Sequence, residues 1–441
     1  MQDFVSTRRL FLQRGMALLA VTPTIPTFLD QTVIGLLQQN DGSRVQAPTG
    51  KDGKILVVVQ LSGGNDGLNT VSPYADDVYR RARGNLAHAA DRVHKLNNYL
   101  GLAPNLPYFK ELYDQGRMSV INGVGYPNPN RSHFRSMDIW HSAYPEKEVV
   151  TSGWLGRFFD NTCVGNDPHV GVSIGEQLPL SMKGERISPL AFERAESYRY
   201  TGKDAERYKD LNHDDAMVSA AAPSTRPVGA GRVVASPKKK AEPVTSGAQL
   251  DFLHRTAMDA QVSSDDILRM TKQFAPAGQY PNTEFGNGLR TIAAMIAGGL
   301  PTRVYYVSLG GFDTHANQAP RHAQLMQELN NGIQAFWTDI RKQENEERVL
   351  MMSFSEFGRR VDVNASSGTD HGAAAPMFLM GPRVKAGLAG RHPSLTDLDQ
   401  GDLKFSTDFR NVYATVLQNW LETPSRPILG QQFATMNLVK G

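Results

Sequence analysis

Strand-length apolar runs alternate with helical patterns along much of the chain. Residues 55–61 (Ile-Leu-Val-Val-Val-Gln-Leu) are almost continuously apolar, residues 106–113 carry apolar side chains at helical spacing, and residues 117–122 form the next apolar run. A strand without polar alternation is buried on both faces, which is typical of the centre of a parallel sheet. The order predicts an α/β fold: a doubly wound, mostly parallel sheet with helices on both faces.

The carboxyl-terminal half repeats this pattern. We predict helices over 285–297, 320–342 and 407–421, and strands over 304–309, 349–354 and 377–380. Between the halves, residues 222–248 are rich in Ala, Pro, Ser and Gly and include the lysine run 238–240. Such a segment predicts a disordered loop, and its lysines indicate a solvated patch rather than a nucleic-acid site.

These composition shifts predict five regions. They are a signal segment over 1–30, a linker over 31–53, the first part of an α/β core over 54–175, an insertion or cap over 176–283, and the second part of the core over 284–441.

The amino terminus has the pattern of an export signal. Ser6-Thr-Arg-Arg-Leu-Phe-Leu12 precedes the apolar stretch 16–29, an order that resembles a twin-arginine signal. A basic amphipathic helix is the alternative, but Pro23 and Pro26 would break it. We therefore expect a periplasmic or secreted protein whose partner during export is the twin-arginine translocase. No clear cleavage site follows, so cleavage and an uncleaved anchor both stay open.

Composition excludes several other classes. The chain has 441 residues with 47 Lys+Arg against 44 Asp+Glu, a net charge of +3, which argues against a dedicated nucleic-acid binder. The single cysteine, Cys163, excludes an intramolecular disulfide and a thiolate metal cluster. After the amino terminus no uncharged apolar run reaches the roughly 20 residues that span a bilayer, so we expect no stable transmembrane span beyond an uncleaved signal.

Polar residues follow the predicted strands at the places where open α/β sheets bind ligands. After the first strand, Ser62-Gly-Gly-Asn-Asp66-Gly67 brings a carboxylate beside glycines, although Asn-Asp-Gly is also common in turns. After the second strand, Ser132 stands at a predicted helix amino terminus, where N–H groups favour an anion. Helix capping by Ser132 or Asn130 is the alternative. The cationic neighbours Arg131, His133 and Arg135 favour a catalytic group.

Carboxylates and imidazoles gather after the later strands. Asp313 and His315 are two residues apart on a loop and can bind one divalent cation, whereas His322 lies on an apolar helical stripe and serves packing or ligation equally well. Together with the carboxylates and imidazoles that follow the next strand, these residues are numerous enough to bind one or two metal ions. Zinc, manganese and calcium are the candidate metals. The predicted ligands are Asp66, Asp313, His315, Glu356, Asp370 and His371.

Five motifs contain these polar groups. They are Leu61-Ser-Gly-Gly-Asn-Asp-Gly-Leu-Asn69, Gly125-Tyr-Pro-Asn-Pro-Asn-Arg-Ser-His-Phe134, Gly311-Phe-Asp-Thr-His315, Phe354-Ser-Glu-Phe-Gly-Arg359 and Thr369-Asp-His-Gly372. Together they resemble a twin-arginine-exported bacterial family of unknown function and, more distantly, the alkaline phosphatase and sulfatase superfamily.

The superfamily resemblance implies an alkaline-phosphatase-like core and site. It implies that Asp66 and Glu356 help to hold one metal, that Asp313, His315 and His371 hold another, and that Ser132 is the nucleophile. The chain departs from the superfamily at Glu356-Phe357, where members commonly have Asp-His. Sequence around Ser132 and Cys163 also lacks the context of the modified sulfatase nucleophile.

These observations predict an exported metal-dependent hydrolase of phosphate or related anionic esters, small or polymeric, with a serine nucleophile. In this hypothesis Arg131 or Arg135 stabilises anionic charge, and His133 or His371 transfers protons. The alternative is a non-catalytic sulfatase-like fold that binds an anionic glycan or an envelope partner. A third hypothesis is a folding or assembly factor.

Overall fold

The computed structural model describes residues 53–163, 167–196 and 264–440. The predicted signal segment 1–30, nearly all of the predicted linker and the predicted loop 222–248 lie outside the described residues. Among the described helices, none has both the length and the apolar character required to cross a membrane.

The described strands form one large sheet and two small ones. In chain order they are β1 (Ile55–Leu61), β2 (Val71–Ser72), β3 (His94–Lys95), β4 (Gly101–Leu102), β5 (Met118–Gly125), β6 (Gly171–Ile174), β7 (Leu190–Phe192), β8 (Val304–Leu309), β9 (Val349–Phe354), β10 (Ala375–Met380), β11 (Gly387–Ala389), β12 (Leu398–Asp399), β13 (Asp402–Leu403) and β14 (Thr407–Asp408).

The large sheet has the order β11-β5-β10-β9-β1-β8-β6-β7, and β14 also pairs with β5. β1 lies parallel between β8 and β9, with Val57 opposite Tyr305 on one side and Met351 on the other. β10 pairs antiparallel with both β5 and β9, and the remaining described pairs of this sheet are parallel. The predicted mostly parallel sheet is confirmed, with β10 as its antiparallel member.

The helices cover both faces of this sheet. They are α1 (Gly67–Thr70), α2 (Asp77–Arg83), α3 (Pro107–Asp114), α4 (His133–Ser142), α5 (Trp154–Thr162), α6 (Glu284–Ala297), α7 (Gln318–Lys342), α8 (Phe409–Thr415) and α9 (Arg426–Leu429). Residues 264–273 are also helical.

The two faces of β1 belong to two separate hydrophobic cores. Val57 and Val59 lie in a core with side chains of α3, α6 and α7. Leu56 and Val58 lie in a second core with side chains of α4, α5 and α8. Because successive strand residues point to opposite faces, a strand covered on both sides needs apolar side chains at nearly every position. This confirms the prediction of helices on both faces.

Some boundaries differ from the sequence-based expectations. The second core strand continues to Gly125 instead of ending at residue 122. The predicted helix 407–421 begins at Phe409, because Thr407–Asp408 pairs with β5 and the Asp408 carboxylate caps the helix by accepting the Arg410 N–H. β7 lies within the predicted insertion 176–283, yet it extends the sheet beside β6. The domain division as a whole stays a prediction.

Strand direction brings five loops to one edge of the sheet. β1, β5, β8 and β9 run the same way, so their carboxyl ends meet there, and antiparallel β10 begins at the same edge. The loops 62–66, 126–132, 310–317, 355–360 and 369–374 consequently surround a common point. These are the loops that carry the predicted site residues.

Candidate functional site

Three histidines surround one carboxylate oxygen of Asp313. Oδ1 lies 2.9 Å from Nδ1 of His315, 3.1 Å from Nε2 of His371 and 3.4 Å from Nε2 of His133. The Asp313 side chain is 49% exposed, so the group is open to solvent. Residues from two loops and from the first turn of α4 therefore converge on a single oxygen atom.

Arg359 holds Asp313 from the inner side. Its buried guanidinium donates to Asp313 Oδ1 at 2.8 Å and to the backbone carbonyl of Phe312 at 2.9 Å. It also donates to the carbonyls of Gly63, Gly64 and Thr369. Burial by itself raises the pKa of Asp313, but the hydrogen bonds from Arg359 and His371 outweigh it and hold that pKa well below its ordinary value. Asp313 is consequently an anion at neutral pH.

His133 is oriented by a second buried carboxylate. At the first turn of α4, its Nδ1 lies 2.9 Å from Oε1 of Glu356, which is 1% exposed and also accepts the Gly63 N–H at 2.8 Å. The hydrogen bond that His133 donates to the Glu356 carboxylate raises the pKa of His133. The other ring nitrogen, Nε2, is buried and forms no hydrogen bond. This arrangement directs an unsatisfied nitrogen toward Asp313.

His371 presents its Nε2 to the same point. Its Nδ1 lies 2.8 Å from the backbone carbonyl of Arg131, which can only accept, so Nδ1 carries the proton. Burial lowers the pKa of His371. When both ring nitrogens carry a proton, Nε2 donates to Asp313 Oδ1 at 3.1 Å. In the neutral ring the proton stays on Nδ1, and Nε2 has a free electron pair that can bind a cation.

These side chains can hold a metal ion. His133, Asp313 and His371 each offer one ligand atom, and the three atoms lie within 4.8 Å of one another. Two imidazole nitrogens and a carboxylate oxygen suit zinc or manganese, whereas calcium takes oxygen ligands. A buried ring nitrogen without a hydrogen-bond partner is the feature that a bound cation would satisfy.

Phe357 packs against two of the histidines. Its ring centroid lies 4.9 Å from that of His133 and 4.7 Å from that of His371. A Cβ at Gly64, which has φ +73°, would overlap the Phe357 ring. Gly64 thus permits the aromatic ring to support both imidazoles.

Asp66, a predicted ligand, lies apart from this group. It is fully buried, and its carboxylate accepts from Arg83, Gln318 and the backbone N–H of Asn69. Burial raises the pKa of Asp66, but the Arg83 charge outweighs it and the pKa is lowered. Its oxygens are occupied by protein donors, which leaves no free ligand atom.

The other predicted ligands have distinct positions. Glu356 stands behind His133, and His315 contacts Asp313 from the solvent side. Asp370 is exposed, and its Oδ1 accepts from Asn364 at 3.0 Å. His322 is buried on α7, with Nε2 3.1 Å from Asn65 Oδ1, and burial lowers its pKa to about 4. His322 therefore serves packing beneath the site.

Among the predicted catalytic residues, His133 belongs to the group, and Ser132 directly precedes it in the chain. Ser132 is exposed and occupies the N-cap position of α4, but its side chain makes no capping hydrogen bond. Its backbone N–H donates instead to Asn130 Oδ1 at 2.9 Å. The Ser132 hydroxyl is thus not used as a helix cap.

The two predicted arginines are engaged elsewhere. Arg131 forms an ion pair with Asp402. The Arg135 guanidinium donates to the backbone carbonyls of Pro145, Lys147 and Glu148, so it holds the loop after α4. Neither guanidinium is within the His133, Asp313 and His371 group.

Sequence reasoning assigned no role to Arg359. Its only signal was its place in the motif Phe354-Ser-Glu-Phe-Gly-Arg359 directly after a strand. Charged side chains at strand ends are usually solvated, and its burial follows from the packing of three loops.

Comparisons with known proteins identify similar sequences and structures. Residues 117–426 match the family model described as "Protein of unknown function (DUF1501)". No curated protein matches the sequence. Similar solved structures include a protein in the alkaline phosphatase superfamily from Vibrio parahaemolyticus, with 9% identity, a TM-score of 0.37, and coverage of 93% of this chain and 78% of that chain.

Two further similar structures are a sulfatase and a synthase. PsFucS1 sulfatase from Pseudoalteromonas sp. has 12% identity and a TM-score of 0.36, with 87% of this chain and 71% of that chain covered. The lipoteichoic acid synthase LtaP from Listeria monocytogenes has 7% identity and a TM-score of 0.32, with 94% and 80% covered. Such low TM-scores carry no weight for the chemistry of the site, which depends on the side chains described above.

Proposed function

The chain belongs to the family described as protein of unknown function (DUF1501), and we propose that it is an exported, metal-dependent hydrolase of phosphate or related anionic esters. One observation carries the proposal. Imidazole nitrogens of His133 and His371 converge on Asp313 Oδ1, and the His133 nitrogen is buried without a hydrogen bond.

The second layer of contacts supports metal binding by these residues. Glu356 accepts from Nδ1 of His133, and the Arg131 carbonyl accepts from Nδ1 of His371. Metal-binding histidines usually donate their other N–H to such an acceptor, which orients the ring and fixes the tautomer. Both Nε2 atoms are then presented to one point, together with the Asp313 carboxylate.

Ser132 is the candidate nucleophile. It lies between Arg131, whose carbonyl contacts His371, and His133, so chain continuity keeps it beside the centre. Its hydroxyl is exposed and makes no capping bond, and the backbone N–H groups at the start of α4 favour an anion. A bound zinc or manganese ion would lower the pKa of a coordinated hydroxyl and polarise a phosphoryl oxygen.

His315 is placed to move a proton to solvent. Its ring is 44% exposed, and its Nδ1 lies 2.9 Å from Asp313 Oδ1. The carboxylate holds the ring in place, while the exposed edge can take a proton from water that the ring then passes to the ester leaving group. We propose His315 as the general acid or base.

A non-catalytic binding protein is the second candidate, and the state of Asp66 favours it. Arg83 and Gln318 occupy the Asp66 carboxylate, so a second metal site at that carboxylate is blocked. A single centre still supports hydrolysis, but it would also suffice to bind an anionic glycan or an envelope partner.

Elemental analysis followed by an ester screen tests the proposal. The full chain should contain about one zinc or manganese per molecule and should hydrolyse chromogenic phosphate or sulfate esters. His371→Ala should lose the metal, whereas the control His169→Ala should retain it, because His169 pairs with Asp167 away from the centre. A protein with no metal and no hydrolysis would contradict the proposed function, and metal without hydrolysis would favour the binding protein.

A further inference from the structure

Arg131 and Arg360 share one buried carboxylate beside the candidate centre. Asp402 lies next to the β12–β13 turn and its side chain is 3% exposed. Arg131 Nε donates a hydrogen bond to Asp402 Oδ2 at 2.7 Å, and Arg360 Nε lies 3.4 Å from Asp402 Oδ1. The side chains of Arg131 and Arg360 are 37% and 36% exposed.

Arg131, Arg360 and Asp402 together carry uncompensated positive charge. Two guanidinium groups face a single carboxylate, which leaves one net positive charge. Arg360 Nε and Asp402 Oδ1 are both buried and form no hydrogen bond, so charge rather than hydrogen-bond geometry holds Arg360. In the described ranges, the terminal amino groups of Arg360 donate no hydrogen bond to the protein. They are available to a ligand.

The arginine pair is connected to the centre through two short segments. Arg131 presents its guanidinium to Asp402 and its carbonyl to His371 Nδ1 at 2.8 Å. Arg360 directly follows Arg359, whose guanidinium lies 2.8 Å from Asp313 Oδ1. The arginine pair is therefore linked to the candidate centre through His371 on one side and through Arg359 on the other.

We propose that Arg131 and Arg360 form a second anion-binding site, which takes a phosphate or sulfate group. The planar donor fork of arginine matches such tetrahedral oxyanions. A substrate that spans both positions carries a second anionic group next to the ester at the centre, so it is a polyanion rather than a simple monoester. This substrate assignment rests on the proposed function, whereas anion binding at the arginines does not.

Titration calorimetry with inorganic phosphate tests the site. The purified full chain should bind phosphate, and one binding site should persist after dialysis against a chelator, because the arginines need no metal. Arg360→Gln should weaken this chelator-resistant binding about tenfold or more, the effect of losing charge-assisted hydrogen bonds. The control Arg383→Gln should bind as wild type does, because Arg383 pairs with Glu347 on the surface.

Two results would overturn the anion site: no chelator-resistant phosphate binding in wild type, or unchanged binding in Arg360→Gln. The latter would mean that the pair only ties the loop 126–132 to the β12–β13 turn. The melting temperature of each variant shows whether it is folded. If Arg360→Gln is unstable, Arg360→Lys replaces it, because lysine keeps the positive charge but not the planar donor fork of arginine. Arg360→Lys should also weaken phosphate binding.

A second probe tests whether the arginine site binds a free oxyanion or an anionic group that is part of the substrate. In the untreated protein, 1,4-butanediol bisphosphate should bind at least about tenfold more tightly than phosphate, because one molecule engages both positions. The gain should disappear in Arg360→Gln. Equal affinities for the two probes in wild type would overturn the substrate assignment and leave a site for a free oxyanion. Chelator-resistant phosphate binding in a protein without metal or hydrolysis would refute the proposed function alone.

Discussion

Glu356 and His133 are joined by a hydrogen bond of 2.9 Å between a carboxylate that is 1% exposed and the ring Nδ1. The two residues are 223 positions apart in the chain. Through this bond a predicted metal ligand acts on a predicted catalytic residue. Glu356 sets the direction of the ring, and His133 offers its Nε2 to the candidate centre.

Replacing Glu356 with Gln tests this positioning role. We expect metal affinity to fall about 10- to 100-fold, the usual effect of losing a carboxylate behind a ligating histidine. In metal-free protein the raised pKa of His133 should fall toward its ordinary value of 6.5, because the Glu356 hydrogen bond is its largest cause. Competition with a metal indicator and an NMR titration of His133 measure the two effects. Glu346→Gln, which alters a pair with Arg117 instead, is the control.

Replacing Ser132 with Ala separates turnover from folding. Hydrolysis should fall by at least about three orders of magnitude if the hydroxyl is the nucleophile. Metal content and melting temperature should stay those of wild type, because the side chain is exposed and caps nothing. Exposed Ser366 provides the control variant Ser366→Ala. Full activity of Ser132→Ala would assign the nucleophile to another group.

Replacing Asp66 with Asn should cost about 3–5 kcal/mol of unfolding free energy, because it leaves the buried Arg83 charge without its partner. Asp77→Asn, at an exposed pair with Arg80, should cost about 0–1 kcal/mol. Denaturant unfolding measures both.

The same carboxylate predicts a pH dependence. The folded-state pKa of Asp66 lies below its ordinary value of 3.8, so its stabilisation is present above that pH and is lost as the pH falls toward the folded-state pKa. The difference between wild type and Asp66→Asn should therefore stay constant from pH 7 to 5 and narrow below pH 4. A difference that grows in acid would contradict the ion pair.

Replacing His141 with Gln should weaken the acid sensitivity of the fold. Burial lowers the pKa of His141 from 6.5 to about 4, so the unfolded chain binds a proton there that the folded chain does not. Its stabilisation is complete above pH 6.5 and is lost between pH 6.5 and 4. The melting temperature of wild type should fall from pH 7 to 5, and that of the variant should fall less. A variant whose melting temperature falls as much as that of wild type would contradict the role of His141.

Replacing Arg8 and Arg9 together with Lys should block export, because lysine does not reproduce the guanidinium pair. Cell fractionation measures the periplasmic share, and Arg14→Lys, in the same segment but outside the pair, is the control. Normal delivery of the double variant would refute the predicted signal, which lies outside the described residues.

Much of the fold was predictable because each strand carries its own local signal. The apolar runs at 55–61, 304–309 and 349–354 coincide with β1, β8 and β9, and the family resemblance is confirmed by the match over residues 117–426. The antiparallel direction of β10 was not predictable, because an apolar run has the same pattern in either direction.

The alternation of apolar runs with helical patterns was enough to predict that polar groups follow the core strands and meet at one edge of the sheet, because strands joined through helices run parallel. Which of these groups share a centre depends on how the loops pack against one another. Asp66 is satisfied by Arg83, while Asp313 gathers His133, His315 and His371. The physical reason is that each carboxylate's role depends on the donors that packing brings within about 3 Å of it and on the water that packing removes. Neither quantity is encoded in residue spacing.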